Sequence, residues 1–258
     1  MEKSGHRPEV KFEDLGKLNY QQAWDLQTER HAAIVARKRE NRQRAKDDLP
    51  PLRQTHELLF VEHPPVYTLG KSGSLDNLLL NETELEDQGF TFHKINRGGD
   101  ITYHGPGQLV AYPLFDLEEF FTDVHRYVRY LEEVVIRTCA DYGVAAERDP
   151  GYTGVWLPAD ATRPRRKICA IGVHLSRWTT LHGFAFNISP DLNHFNHIIP
   201  CGIDESDRGV TRLADEVEGA LPMDEVKRRV KEHFRQVFEF DYAATHHTEA
   251  RPHLTYNP

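Results

Sequence analysis

No apolar run in the sequence approaches the roughly 20 residues that a membrane-spanning helix requires, and the mean hydropathy is -0.62. A chain that crosses a bilayer is therefore not expected. Cysteine is scarce too: three in 258 residues is too few, and odd in number, for a disulfide scaffold. A reducing compartment, the cytoplasm, is the simpler expectation. Positive charge is in deficit, with 32 Lys and Arg against 40 Asp and Glu for a net charge of -8, so nucleic-acid binding through a broad basic surface is not expected. The stretch Met1 to Asp14 has no apolar core and carries Glu2, Glu9, Glu13 and Asp14, unlike a secretory or mitochondrial leader. Repeats and long linkers are also missing. Residues 1–258 thus read as a single domain, with a core over about 15–240 and a loose tail over 243–258.

What is present alternates between strand and helix patterns. Asn19 suits a helix cap, and Tyr20, Trp24, His31 and Val35 form an imperfect helical stripe running into the basic segment Arg37 to Lys46. Pro50-Pro51 ends it. Glu57 to Glu62, Thr91 to Asn96, Gln108 to Tyr112, Gly154 to Leu157, Ile168 to Leu175 and Leu181 to Ile188 read as strands. The glycine-rich stretch Arg97 to Gly107 reads as a loop, and Pro158 to Arg166 as a surface loop. Asp123 to Tyr142 is the clearest helix, with Gly143 where a C-terminal cap belongs, and a last helix carries Met223, Val226, Val230, Phe234 and Val237. There is no strict strand–helix–strand rhythm. The expected class is α/β of the α+β type, a mixed sheet flanked by helices.

Three features bear on chemistry. Four glycines within Arg97 to Gly107 let backbone approach a ligand, and Arg97, Thr102, Tyr103 and His104 add donors. The plainer reading of the same stretch is a complicated strand connection, but binding residues concentrate on such loops. It is not a phosphate loop, because no lysine follows its glycines. Cys139 and Cys169 sit in apolar settings and read as buried hydrophobes, whereas Cys201, between Pro200 and Gly202, is placed like a nucleophile, although a turn thiol can also be inert. Such a thiol needs a nearby base or cation, and His104, His182 and Lys167 are the candidates. Lys167 opens a strand, where a lysine is ordinarily solvated. His194-Phe195-Asn196-His197 and His246-His247 lack the matching ligands of a metal site, so none is expected.

These segments together resemble the lipoyl(octanoyl) transferase family. The resemblance lies in Arg97 to Tyr112, Glu62 to Gly70, Lys167 to Gly172, His182 to Asn187 and Pro200-Cys201-Gly202, in the family's order over about Leu15 to Leu213. It implies a fold like the catalytic domain of the biotin and lipoate protein ligases. It also implies an acyltransferase that moves an octanoyl group from octanoyl-acyl carrier protein, through a cysteine thioester, to a lysine amine. The implied acceptors are lipoyl domains of 2-oxoacid dehydrogenase E2 subunits and the glycine cleavage H protein. By the same resemblance Cys201 is the nucleophile and Lys167 its partner, with no cofactor. Substrate-binding positions fall on Arg97, Gly98, Gly99, Asp100, Ile101, Thr102, Tyr103 and His104, on Ala170, Ile171 and Gly172, and on Gly183, Phe184 and Ala185. Leu69, Ile171, Phe184 and Phe186 are expected to wall the acyl chain, and Arg37 to Lys46 or Arg163 to Arg166 to steer acidic partners. An ATP-dependent ligase, a non-catalytic acyl- or lipoyl-binding protein and a thioesterase are the rival readings.

Overall fold

The computed structural model describes residues 7–199 and 208–244. In chain order the elements are β1 (Glu9–Lys17), α1 (Tyr20–Lys46), β2 (His56–Glu62), β3 (Val66–Leu69), α2 (Glu82–Asp87), β4 (Thr91–Lys94), β5 (Ile101–His104) and β6 (Gln108–Leu114). There follow α3 (Val124–Ala140), β7 (Glu147–Asp149), β8 (Tyr152–Leu157), β9 (Arg165–Ser176), β10 (Thr179–Asn187), β11 (Arg208–Val210), α4 (Met223–Phe238) and β12 (Asp241–Tyr242). The main sheet runs β12-β1-β2-β6-β10-β9-β8-β7, with β11 added against β9; a second sheet is β4-β3-β5. Both sheets are mixed: β1 runs parallel to β2 and β12, while β6 runs antiparallel to β2 and β10.

The main sheet is covered on both faces, which is why β2 reads as an unbroken apolar run rather than an alternating one. Leu58 and Phe60 pack with Leu131, Val135, Val230 and Phe234 of α3 and α4, whereas Leu59 and Val61 pack with Ala23 and Ile34 of α1. Consecutive strand residues thus serve opposite cores. α3 ends as its sequence predicts, with Gly143 at φ 75° and Val144 N–H bonded to Cys139 O at 3.0 Å.

Four expectations change. The buried face of α1 is Tyr20, Ala23, Gln27, Ile34, Val35 and Lys38, not the stripe through Trp24 and His31. Two polar residues occupy it because each meets a buried partner. Gln27 Oε1 accepts from His182 N at 3.1 Å, and Lys38 Nζ donates to Asp116 Oδ1 at 2.6 Å. The glycine-rich stretch is not all loop, since Ile101–His104 forms β5, paired with β3. Arg166 is buried within β9 rather than on a surface loop. The sheet also extends to Glu9 and Tyr242, beyond the expected 15–240.

Candidate active site

A cavity of about 370 Å³ opens along β9 and β10, roofed by the loop that enters β5. β9 and β10 lay Lys167, Ala170, Ile171, Gly172, Gly183, Phe184 and Ala185 along it, and the loop and β5 add Arg97, Gly98, Gly99, Ile101, Thr102 and His104. Two family positions sit elsewhere. Asp100 is turned to Asn77 Nδ2 and to the N–H of Ile101, and Tyr103 is wholly buried, its hydroxyl against His194 Nδ1 at 2.7 Å. Of the expected wall residues, Ile171 and Phe184 line the cavity, while Leu69 and Phe186 belong to separate core clusters. Tyr20, Gln108, Tyr112, Val128 and Asn187 line it without having been anticipated as site residues. Gln108 and Asn187 lie inside the segments that carry the family resemblance, so a signal for them existed. Val128, by contrast, looks like any core residue of α3.

The loop is fixed by Arg97. Its buried guanidinium donates to Thr68 O at 2.7 Å, Thr68 Oγ1 at 3.1 Å and Gly98 O at 3.0 Å. Gly172 lets this happen: a Cβ there would stand 2.9 Å from Arg97 Cδ and 3.0 Å from Gly98 O. From Thr68 a chain of hydrogen bonds runs under the cavity. Gln108 Nε2 donates to Asn187 Oδ1 at 2.9 Å, so Gln108 Oε1 accepts from His104 Nδ1 at 2.8 Å. That assigns His104 Nε2 as the acceptor facing Thr68 Oγ1 at 3.3 Å. Asn187 Nδ2 then donates to Thr211 O at 3.0 Å, just beyond β11, where Thr211 N–H in turn donates to Lys167 O at 2.9 Å. Burial and neighbouring positive groups hold the His104 pKa well below its ordinary value, so it is a neutral strut and not a poised acid.

Lys167 stands at the end of the cavity near β11. Its Nζ lies 4.6 Å from the Trp156 ring centroid, a cation–π contact. Its stem crosses Gly154, where a Cβ would be 3.5 Å from Lys167 Cε and only 2.6 Å from Cys169 O. Gly154 also has φ +125°, a conformation that favours glycine. Gly154→Ala should therefore cost about 1–3 kcal/mol and displace the Lys167 stem. A lower urea midpoint together with slower turnover of the folded fraction is the expected pair of results.

Of the cysteines, Cys139 and Cys169 are fully buried. Burial pushes the Cys139 thiol up to about 12 and that of Cys169 well above its ordinary value, so neither supplies a thiolate. Cys201 lies outside the described residues. Several cations of the basic segments pair within the fold, while Arg39 and Lys46 are exposed. Arg163 and Arg166 pair with Glu216 at 3.0 and 2.8 Å, Arg165 with Glu147 at 2.7 Å, Lys38 with Asp116 and Arg42 with Glu118 at 3.2 Å.

Two imidazoles beside the cavity make the fold acid-labile. His63 is held to about 4, chiefly by burial; its Nδ1 meets Leu18 O and its Nε2 meets Tyr112 Oη, each at 2.8 Å. His182 is held to about 3 by burial and Arg97. Both stand below the 6.5 of a free histidine, so the unfolded chain binds more protons than the folded one across that interval. Stability is fully present above about 6.5 and falls as pH drops towards 4 and then 3. The urea midpoint should be lower at pH 5 than at pH 7, and His63→Gln should flatten that difference.

Comparison with known proteins adds a family signal. Residues 19–235 match the model described as the lipoyl protein ligase A/B catalytic domain. An octanoyltransferase of Cytophaga hutchinsonii is 49% identical over 242 residues, covering 93% of this chain and 96% of that protein. One from Flavobacterium johnsoniae is 53% identical over 231 residues, covering 89% and 97%. Among solved structures, the bi-partite lipoate protein ligase of Thermoplasma acidophilum superposes with a TM-score of 0.63 at 15% identity, covering 92% of this chain and 86% of that one.

Proposed function

The chain belongs to the lipoyl protein ligase A/B catalytic-domain family, and on that premise we propose that it is an octanoyltransferase acting in lipoate biosynthesis. The donor is octanoyl-acyl carrier protein, Cys201 carries the octanoyl group as a thioester, and the acceptor is a lysine of a lipoyl domain. The observation that carries this reading is a lysine, Lys167, at the end of a cavity walled by Ile171, Val173, Phe184 and Ala185. About 0.8 kcal/mol per buried methylene gives the octanoyl tail reason to enter it.

The transfer runs in two balanced steps. The Cys201 sulfur anion attacks the donor's acyl carbon, the new C–S bond forms, and the old one breaks to release the carrier's thiolate. The acceptor's neutral amine then attacks the acyl-enzyme. A C–N bond forms, the C–S bond to Cys201 breaks, and the proton lost by nitrogen ends on sulfur. In the first step the ammonium of Lys167 favours the Cys201 anion; once the thiol is acylated that anion is gone, and Lys167 becomes a better proton acceptor. Thioester for thioester is nearly an even exchange, whereas thioester to amide is downhill, so the second step drives the sequence.

Intact-mass spectrometry after incubation with octanoyl-carrier protein tests this directly. A gain of one octanoyl group, mapped to Cys201, absent from Cys201→Ala and discharged by a lipoyl domain without ATP, is expected. Octanoylation of the acceptor that requires ATP and survives Cys201→Ala would instead assign a ligase.

A further inference from the structure

Glu132 is a carboxylate on the buried face of its helix. It stands on α3 between the core residues Leu131 and Val135, one turn after Val128, which lines the cavity. The residue is only 6% exposed, and a carboxylate so placed must be met by donors. Two meet it, one from each neighbouring strand. Arg148 Nε of β7 donates to Oε2 at 3.0 Å, and Gly154 N–H of β8 donates to Oε1 at 3.2 Å. The two partners differ in burial. The Arg148 side chain is 39% exposed and also donates to Arg129 O and Glu133 Oε2, each at 2.8 Å, whereas the bond to Gly154 is buried.

Gly154 adjoins an irregularity that aims Lys167. Val155 faces Cys169 and Trp156 faces Lys167, so Ile168 is an extra residue in β9. Ile168 and Cys169, though consecutive, both lie in the core under α3 and α4. In a regular strand Lys167 would share the face of Cys169. The extra residue turns it to the cavity instead, against Trp156.

We propose that Glu132 is a positioning residue for Lys167: by holding Gly154 N–H from α3, it fixes the strand on which the Lys167 stem lies, and hence the place of its ammonium in the cavity. The consequence for transfer rests on the octanoyltransferase reading above. Gly154 has φ +125° and no side chain to anchor it, so its path is set by what its backbone meets. Lys167 Cε passes 3.5 Å from where a Gly154 Cβ would stand, so a shift of Gly154 moves the stem directly. Trp156, two residues on, makes the cation–π contact with Lys167 Nζ and shifts with the strand. Arg148 joins β7 to α3; the bond to Gly154 is the one that leads to Lys167.

The test reads the Lys167 amine itself, by acetic anhydride labelling and peptide mass, beside the rate of octanoyl transfer per folded molecule. Glu132→Ala removes the acceptor for Gly154 N–H. The stem comes loose, the contact with Trp156 weakens, and labelling of Lys167 should rise about threefold. Transfer to a lipoyl domain should fall about tenfold or more, since small displacements of a participating group are costly. Glu132→Gln keeps an oxygen for Gly154 while Arg148 turns to water, so it should restore most of both. Arg148→Ala breaks only the ion pair and should label and transfer like wild type. Glu132→Met fills the same space without an acceptor, and takes the place of the alanine variant if that one fails to fold. Unchanged labelling of Lys167 in Glu132→Ala or Glu132→Met overturns the proposal. So does an Arg148→Ala variant that reproduces the alanine effect, which would assign it to the ion pair. Wild-type protein that takes up no octanoyl refutes the octanoyltransferase reading instead; labelling of Lys167 needs no acyl donor and still decides the role of Glu132.

Discussion

Lys167→Ala is expected to slow octanoyl transfer by two to three orders of magnitude while leaving the fold intact. A thiol of ordinary pKa, about 8.5, is only a few per cent anion at neutral pH. A cation at about 4 Å in an effective dielectric near 20 stabilises the anion by up to roughly 4 kcal/mol, or close to three pKa units. Withdrawing it should move the pH profile of Cys201 alkylation upward by a comparable amount. The structural cost should be small, because Lys167 contributes a cation–π contact of order 1 kcal/mol with Trp156. Lys167→Arg separates the two duties assigned to this side chain. A guanidinium keeps the charge but does not give up its proton, so loading from the donor should largely survive while discharge to the acceptor slows. If alkylation of Lys167→Ala titrates like wild type, the proposed activation of Cys201 fails.

Much of this arrangement was legible in the sequence because its signals are local. The end of α3 at Gly143 and the apolar runs of β2, β9 and β10 follow from spacing and residue type. The inert settings of Cys139 and Cys169 do too. What was hidden depends on partners far along the chain. Gln27 and Lys38 look like surface residues of a polar helix until His182 and Asp116 are brought against them, 155 and 78 residues away. β5 could not be read within its glycine-rich setting because β3, its pairing partner, supplies the reason for the strand. The basic segments have remote partners too: their charge is plain in the sequence, and the Glu216 and Asp116 that pair with Arg166 and Lys38 are not.

The second large effect follows from that hidden polar cluster. Lys38→Ala should cost about 3–5 kcal/mol of stability, the usual result of leaving one member of a buried ion pair alone. Lys38 Nζ donates to Asp116 Oδ1 and to Arg177 O, both at 2.6 Å, and each side chain of the pair is only 5% exposed. Asp116 is held from other directions as well. Its Oδ2 accepts from Gln54 Nε2 at 3.2 Å, and its Oδ1 accepts from Glu118 N at 3.1 Å, capping the turn Leu117–Glu119. Its carboxylate cannot easily leave for water when the cation is removed. The carbonyl of Arg177 would also lose its donor, in a turn where Arg177 and Trp178 both hold positive φ, at 53° and 62°. The pair ties α1 to the end of β6 and the β9–β10 turn, so its loss should loosen the helix that carries Tyr20 to the cavity. Lys38→Met combined with Asp116→Asn removes both charges and should recover much of the loss, because desolvation opposes the pair's attraction. Urea unfolding of Lys38→Met, of Asp116→Asn and of the double variant gives the coupling energy. Additivity of the two single losses would show that the pair contributes nothing as a pair.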